Sequence, residues 1–405
     1  MPMNFPPCFT TVACVLPLLL AGCVGYQQAD LDLRGLAGSA PALPPGPLAF
    51  ADAVTFAFRH NPELQRLAAL ARAAGADAPA TELAVEWEGV DDMLSIAIDP
   101  VALLGLGQRG AAIDAASARG AAAVQELAVA RWGIAGRIAE VYAAKRALDD
   151  VTTPAFAHDP EPFVRAGLAS PTAAALARGA SAMALAEMMT LESDRYGLLA
   201  ELRQLLGVLP TAALTLAPVD AAFPPLPPRD QELLLHRPDV VLAVATYEVA
   251  DAEFRAAVAE QWPSLMLGPD IPLRGGAVDA MALLRLPIGA GGRAAAAKER
   301  RDAARASALA MLVAATNEAD AAVLHHDASE QRAKATAAMA AASARALGAA
   351  EVALAVEPDA FEPLAERAQM ALRDAMERRE AATANARARV RHAVEWGWPH
   401  TEVRP

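Results

Sequence analysis

Acidic side chains at two-residue spacing are the first feature of this chain that could do chemistry. Glu82, Glu86 and Glu88 alternate with Leu83, Val85 and Trp87, and Asp99 ends a second run in which Leu94, Ile96 and Ile98 oppose Ser95. Carboxylates could act as general acids and bases. On an alternating strand, however, they share one face and form a wet surface that attracts cations. Gly105-x-Gly107-x-x-Gly110 matches the spacing of a dinucleotide-binding turn. That fold needs a second parallel strand after a short helix, and here roughly forty residues of helical pattern follow instead. The glycines are therefore expected to form a strand-to-helix joint. His325 and His326 are adjacent, so a helix points them in different directions. No Cys/His set has metal-site spacing, and Gly-x-Ser-x-Gly is absent. No enzyme activity, cofactor or metal centre is expected.

The elements that must position the glutamates run from Thr81 to Leu148. Two alternating runs across a short turn make a β-hairpin. Beyond it Ile113, Gly120, Leu127, Ile134, Val141 and Leu148 recur at the heptad spacing of a coiled coil, with Val124 and Ile138 in the complementary seam. The 405 residues are 55% hydrophobic but only 5% aromatic, and alanine dominates the apolar content. Alanine favours helix and lets helices approach closely while burying little area per residue. Long helices side by side suit it better than a thick core. A net charge of −13 argues against a nucleic-acid partner.

All cysteines, Cys8, Cys14 and Cys23, lie at the amino terminus. An apolar run ends in Leu20-Ala21-Gly22-Cys23, which resembles the lipobox of bacterial lipoproteins. The resemblance implies a signal peptide over 1–22, lipid on Cys23 and a lipid-anchored tether over 23–47. No uninterrupted apolar stretch of about 18 residues follows, so membrane crossing is expected of strands alone.

Landmarks then recur in order about 180 residues apart, too long a period for a solenoid repeat and fitting a duplicated half-structure. Arg59-His-Asn-Pro-Glu63 answers Leu235-His-Arg-Pro-Asp239, Gly107-Gln-Arg109 answers Gly291-Gly-Arg293, and Arg165-Ala-Gly167 answers Arg345-Ala-Leu-Gly348. The first repeat is placed at 48–210, with a hairpin at 81–104 and an inter-helix tip near 165–171. A proline-rich connector fills 211–230. The second repeat is placed at 231–397, with a hairpin at 263–288 and a tip near 345–352, and a tail closes the chain at 398–405.

Leu233-Leu-Leu-His-Arg-Pro-Asp-Val240, Gln261-Trp-Pro-Ser-Leu-x-Leu267, Leu286-Pro-Ile-Gly-Ala-Gly-Gly-Arg293 and Arg165-Ala-Gly-Leu-Ala-Ser170 together resemble the TolC-like outer-membrane efflux proteins, in their lipoprotein branch. The resemblance implies a mainly α fold with a small β part: duplicated hairpins and long coiled-coil helices, forming a trimeric α-barrel continuous with a shared outer-membrane β-barrel. It implies a passive exit duct for small molecules or metal ions. The duct would be a homotrimer anchored in outer-membrane lipid with a periplasmic helical part, working with a periplasmic adaptor and an inner-membrane RND-type pump. Glu82, Glu86, Glu88 and Asp99 would face the pore. Arg165, Gly167, Leu168, Ser170, Arg345 and Gly348 would form the adaptor-docking tips. Thr172, one turn past the first tip, is a constriction candidate, its alternative role being an ordinary residue of the helix amino terminus after Ser170-Pro171. The alternative is a non-pore periplasmic coiled-coil lipoprotein derived from such a channel.

Overall fold

The computed structural model describes residues 41–76, 83–88, 93–98, 107–152, 154, 159–220, 222–272, 277–287, 290–357 and 360–398. Cys23, Leu20, Ala21, Gly22, Glu82, Asp99 and Gly105 lie outside them.

The first half contains α1 (Phe50–His60), α2 (Pro62–Ala76), β1 (Leu83–Glu88), β2 (Met93–Ile98), α3 (Gly107–Asp149), α4 (Glu161–Arg165) and α5 (Pro171–Leu206). The second contains α6 (Gln231–Leu235), α7 (Pro238–Ala259), β3 (Ser264–Pro272), β4 (Asp279–Arg285), α8 (Ala290–Val356) and α9 (Phe361–Glu395). The helices are long because alanine is the best helix former and proline is absent from their interiors. α8 runs 67 residues without one. α3 stops after 43, shortly before Pro154, Pro160 and Pro162. Pro171 and Pro238 each sit in a first helical turn, where no amide donor is needed.

The helices form a wall in which α3 lies against α2 and α7, and α7 against α8. α8 and α9 make the most extensive pair, and α9 also packs on α3 and α5. The heptad seam is partly buried within the chain. Gly120, Leu127, Val141 and Leu148 are buried, while Ile113 stays exposed. One apolar core joins Val54 and Ala57 of α1, Ile138, Val141 and Tyr142 of α3, and Leu202, Leu205 and Leu206 of α5. A second lies at the opposite end, where Ala173, Ala177 and Ala180 of α5 meet Leu347 of α8 and Phe361, Leu364 and Ala368 of α9.

One expectation is refined and another corrected. α8 is long and apolar enough to cross a membrane by length and composition, its apolar stretch reaching a mean hydropathy of 1.4. That apolarity is mostly alanine's, and the helix lies along α7 and α9. The second tip is not near 345–352. α8 passes straight through Arg345 and Gly348 to Val356, and α9 begins at Phe361. A lone glycine costs a helix only about 1 kcal/mol relative to alanine, which does not break one this rich in alanine.

Candidate functional site

The sheet has the order β1-β2-β3-β4, antiparallel throughout. It therefore lacks the parallel strand a dinucleotide-binding unit requires. Gly107, at φ +62°, opens α3, which makes the glycine motif the start of a long helix.

Register decides which residues stand in one row. Leu83 pairs with Ile98, Val85 with Ile96 and Trp87 with Leu94. Ile98 and Leu94 continue to Leu267 and Ile271. An apolar set thus runs across the two hairpins. On β3, Leu265 and Leu267 are exposed, and Met266 between them is buried. In the alternate row Glu86 pairs with Ser95, Ser95 with Asp270, and Asp270 with Asp279. Asp270 and Asp279 were not foreseen, because no turn chemistry in the sequence sets the register between the hairpins. Glu88, at the end of β1, stands opposite Met93.

Where the strands give way to helices, α3, α7 and α8 enclose an open groove of about 580 Å³. Arg119 pairs with Glu253 at 2.8 Å and Arg293 with Glu260 at 3.1 Å, and Arg300 joins them in lining it. These charges alternate in sign, in contrast to the acidic row.

Two joints lie where one helix gives way to the next. At the first, Asn61 is buried between α1 and α2. Its Oδ1 accepts from the amides of Glu63 (2.9 Å) and Leu64 (3.1 Å), capping α2. Its Nδ2 donates to the Leu205 carbonyl at 2.8 Å. At the second, Arg237 is only 1% exposed. Its Nη1 donates to the carbonyls of Ala315 (3.3 Å) and Glu395 (3.2 Å). The guanidinium also pairs with Asp239 at 2.6 Å, Glu395 at 2.9 Å and Glu318 at 3.1 Å. It lies 5.4 Å from the Trp132 ring centroid. Burial pushes Glu395 above the usual carboxylate range against the pull of Arg237.

At the tip end Ser170 Oγ accepts from the Ala173 amide at 3.0 Å, capping α5. Gly167 turns at φ +71°. Arg165, Gly167, Leu168 and Thr172 are exposed there, Thr172 on the first turn of α5. Arg345 is also exposed, but it lies on α8 about three turns before that helix ends at Val356. The start of α9 is tied to the first tip by residues that no motif marked. Phe163 stacks on Phe361 at 4.6 Å. Further in, Arg379 of α9 reaches Glu187 (2.6 Å) and Asp194 (2.5 Å) of α5, and Ser343 of α8 donates to Asp374 of α9. Among the described residues no group of three or more His, Cys, Asp or Glu side chains could hold a metal ion.

A duplicated pair of helical hairpins carrying a small antiparallel sheet is the architecture of the TolC-like outer-membrane factors, and this chain has that fold. Among solved structures it is similar to the outer-membrane channel OprN, at 18% identity over 92% of this chain and 98% of that one, with a TM-score of 0.70. It is also similar to the open state of the MtrE outer-membrane channel of Neisseria gonorrhoeae, at 15% identity over 92% and 97%, TM-score 0.70. A third is CusC, whose structures describe transmembrane channel formation, at 15% identity over 86% and 92%, TM-score 0.67. No protein-family model and no curated protein matches the sequence.

Proposed function

We propose that this chain is one protomer of an outer-membrane exit duct that moves small molecules or ions out of the periplasm without performing chemistry. In this reading three protomers close their sheets into one barrel and their helices into one tunnel. Cys23 carries the lipid anchor, and an adaptor and an inner-membrane pump supply opening and drive. The observation that carries it is the register. One row across both hairpins is apolar, as lipid requires, and the alternate row holds Glu86, Ser95, Asp270 and Asp279.

Repeated around a trimer, that acidic row becomes a ring that favours cations. Glu82, Glu88 and Asp99 are proposed to extend the wet surface at its ends. The exposed first tip, with Arg165, Gly167, Leu168 and Ser170, is proposed as adaptor surface. On the second repeat the matching surface is proposed where α8 ends at Val356 and α9 begins at Phe361, beyond Arg345 and Gly348. Thr172 is kept as the constriction candidate.

Purified, detergent-extracted protein should run as an SDS-resistant trimer and conduct in planar bilayers with a preference for cations. Glu86→Gln, Asp270→Asn and Asp279→Asn together should lower the cation-to-anion permeability ratio severalfold. A chain released intact from membranes by removing its anchor, and silent in bilayers, would instead be the non-pore lipoprotein. Conductance with selectivity unchanged in the triple variant would remove the ring and leave the duct.

A further inference from the structure

His326 of α8 and His392 of α9 are buried against each other, 5% and 3% exposed, with ring centroids 5.2 Å apart. Both ring nitrogens of His392 are buried without a hydrogen-bond partner, and Nδ1 of His326 is buried with Asp327 Oδ1 the facing acceptor, at 3.7 Å, beyond hydrogen-bond reach. Buried polar atoms are normally paired, so the two unpartnered nitrogens of His392 beside this long contact call for an account. Beside them the connector is fastened to the same two helices. Arg389 of α9 donates to the carbonyls of Ala222 (2.7 Å) and Pro224 (3.0 Å). Arg229, farther along the connector, reaches Asp327 of α8 at 3.9 Å. Trp396, buried a turn beyond His392, donates to the Ala319 carbonyl at 3.3 Å.

We propose that the His326–His392 pair is an acid-sensitive latch: while both imidazoles are neutral the connector stays seated on the α8–α9 pair, and when they take up protons it is released. Two imidazolium ions at this separation would repel each other and the two arginines that hold the connector. The charged surroundings come from every neighbouring element. α8 contributes Asp327 and Glu330, α9 contributes Arg389, and the connector contributes Arg229. On the side facing α3, Glu140, His325, Arg387 and Arg391 line a separate cavity of about 350 Å³. The nearby carboxylates favour protonation. They do not outweigh burial and the cations: burial first, then Arg389, pushes His326 down, and burial first, then His326, pushes His392 down.

The sign follows from linkage. Both groups hold protons less readily in the folded chain than at the ordinary imidazole value of about 6.5. The seated arrangement therefore has its full stability above that pH and loses it progressively as pH falls below. A compartment open to the exterior through an outer membrane meets such acid directly. The latch itself does not depend on whether the chain conducts.

Hydrogen exchange on the full-length protein in detergent tests it, with rates corrected for the intrinsic effect of pH. Between pH 8 and 7 protection of 222–235, the end of the connector and α6, should be constant. Between pH 6.5 and 5 it should drop at least tenfold, while the α1–α2 joint keeps its protection. His326→Gln with His392→Gln should flatten that response. Connector protection that is constant down to pH 5, or that falls equally in the double variant, would falsify the latch. If the double variant does not fold, imidazole nitrogen resonances of the unaltered chain decide. Two buried imidazoles titrating over the interval in which the connector opens support it, and imidazoles titrating outside that interval overturn it.

Discussion

The two joints do the same job with different chemistry. At each, the residue before a proline donates a side-chain hydrogen bond to a carbonyl two residues before a left-handed glycine. Asn61 reaches Leu205 ahead of Gly207, and Arg237 reaches Glu395 ahead of Gly397. Each bond fastens the start of one helix to the end of its repeat. The amide of Asn61 has an acceptor as well, so it also caps α2. A guanidinium has donors only, so at the second joint Asp239 takes over, its Oδ1 accepting from the Val240 amide at 2.9 Å. Asp239 brings negative charge with it. A buried arginine in turn gathers Glu318 and Glu395, and Trp132 covers its face. A polar joint in one copy has become a charged hub in the other, tying α7, α8, α9 and α3 together.

Removing the hub donor should have the largest effect. Arg237→Ala leaves the partly buried Asp239 and Glu395 carboxylates and the Ala315 carbonyl without their donor, and loss of one partner of a buried network costs about 3–5 kcal/mol. Arg237→Lys should recover only part of this, since an ammonium cannot span Asp239, Glu318 and Glu395 in one plane. Chemical denaturation in detergent, followed by Trp fluorescence, measures both. A loss under about 1 kcal/mol for Arg237→Ala would show that the hub tolerates water in its place. Asn61→Ala should cost less, about 1–2 kcal/mol, for one helix cap and one buried carbonyl left unpaired. If the two alanine variants proved equal, the difference between joints would be cosmetic.

The recurrence of Asn61-Pro62-Glu63 as Arg237-Pro238-Asp239 is legible in the sequence, because the two carry their proline and acid in the same order. The partners are not. Leu205, Glu318 and Glu395 lie between about 80 and 160 residues away, and nothing local marks a carbonyl or carboxylate as the target of a distant side chain. The second tip was misplaced for a related reason. Arg345-Ala-Leu-Gly348 resembles Arg165-Ala-Gly167 in letters, but the Arg165 stretch is surrounded by prolines and the Arg345 stretch by alanines, so the former turns and the latter stays helical. Strand alternation groups Glu86 and Glu88 on one side of the first hairpin. It could not align one hairpin with the other, and so it missed Asp270 and Asp279.

The glycines that end the two repeats sharpen the comparison at its smallest scale. Gly207 at φ +70° and Gly397 at φ +90° both lie where an L side chain is strained, and that alone costs about 1–2 kcal/mol for alanine. Their surroundings differ. A Cβ on Gly207 would stand 2.7 Å from the His60 carbonyl oxygen and 3.0 Å from Pro62 Cδ, whereas one on Gly397 would meet nothing nearer than the Leu233 carbonyl at 3.9 Å. The Asn61 joint is closed by backbone pressed against backbone, and the Arg237 joint is bridged by a long side chain that leaves room. Gly397→Ala should therefore cost about 1–2 kcal/mol, and Gly207→Ala clearly more, because neither carbonyl nor proline ring can move without opening the joint. The same denaturation series reads the gap. Equal losses at the two glycines would mean that the first joint yields, and that its tighter fit adds nothing to the backbone strain both copies share.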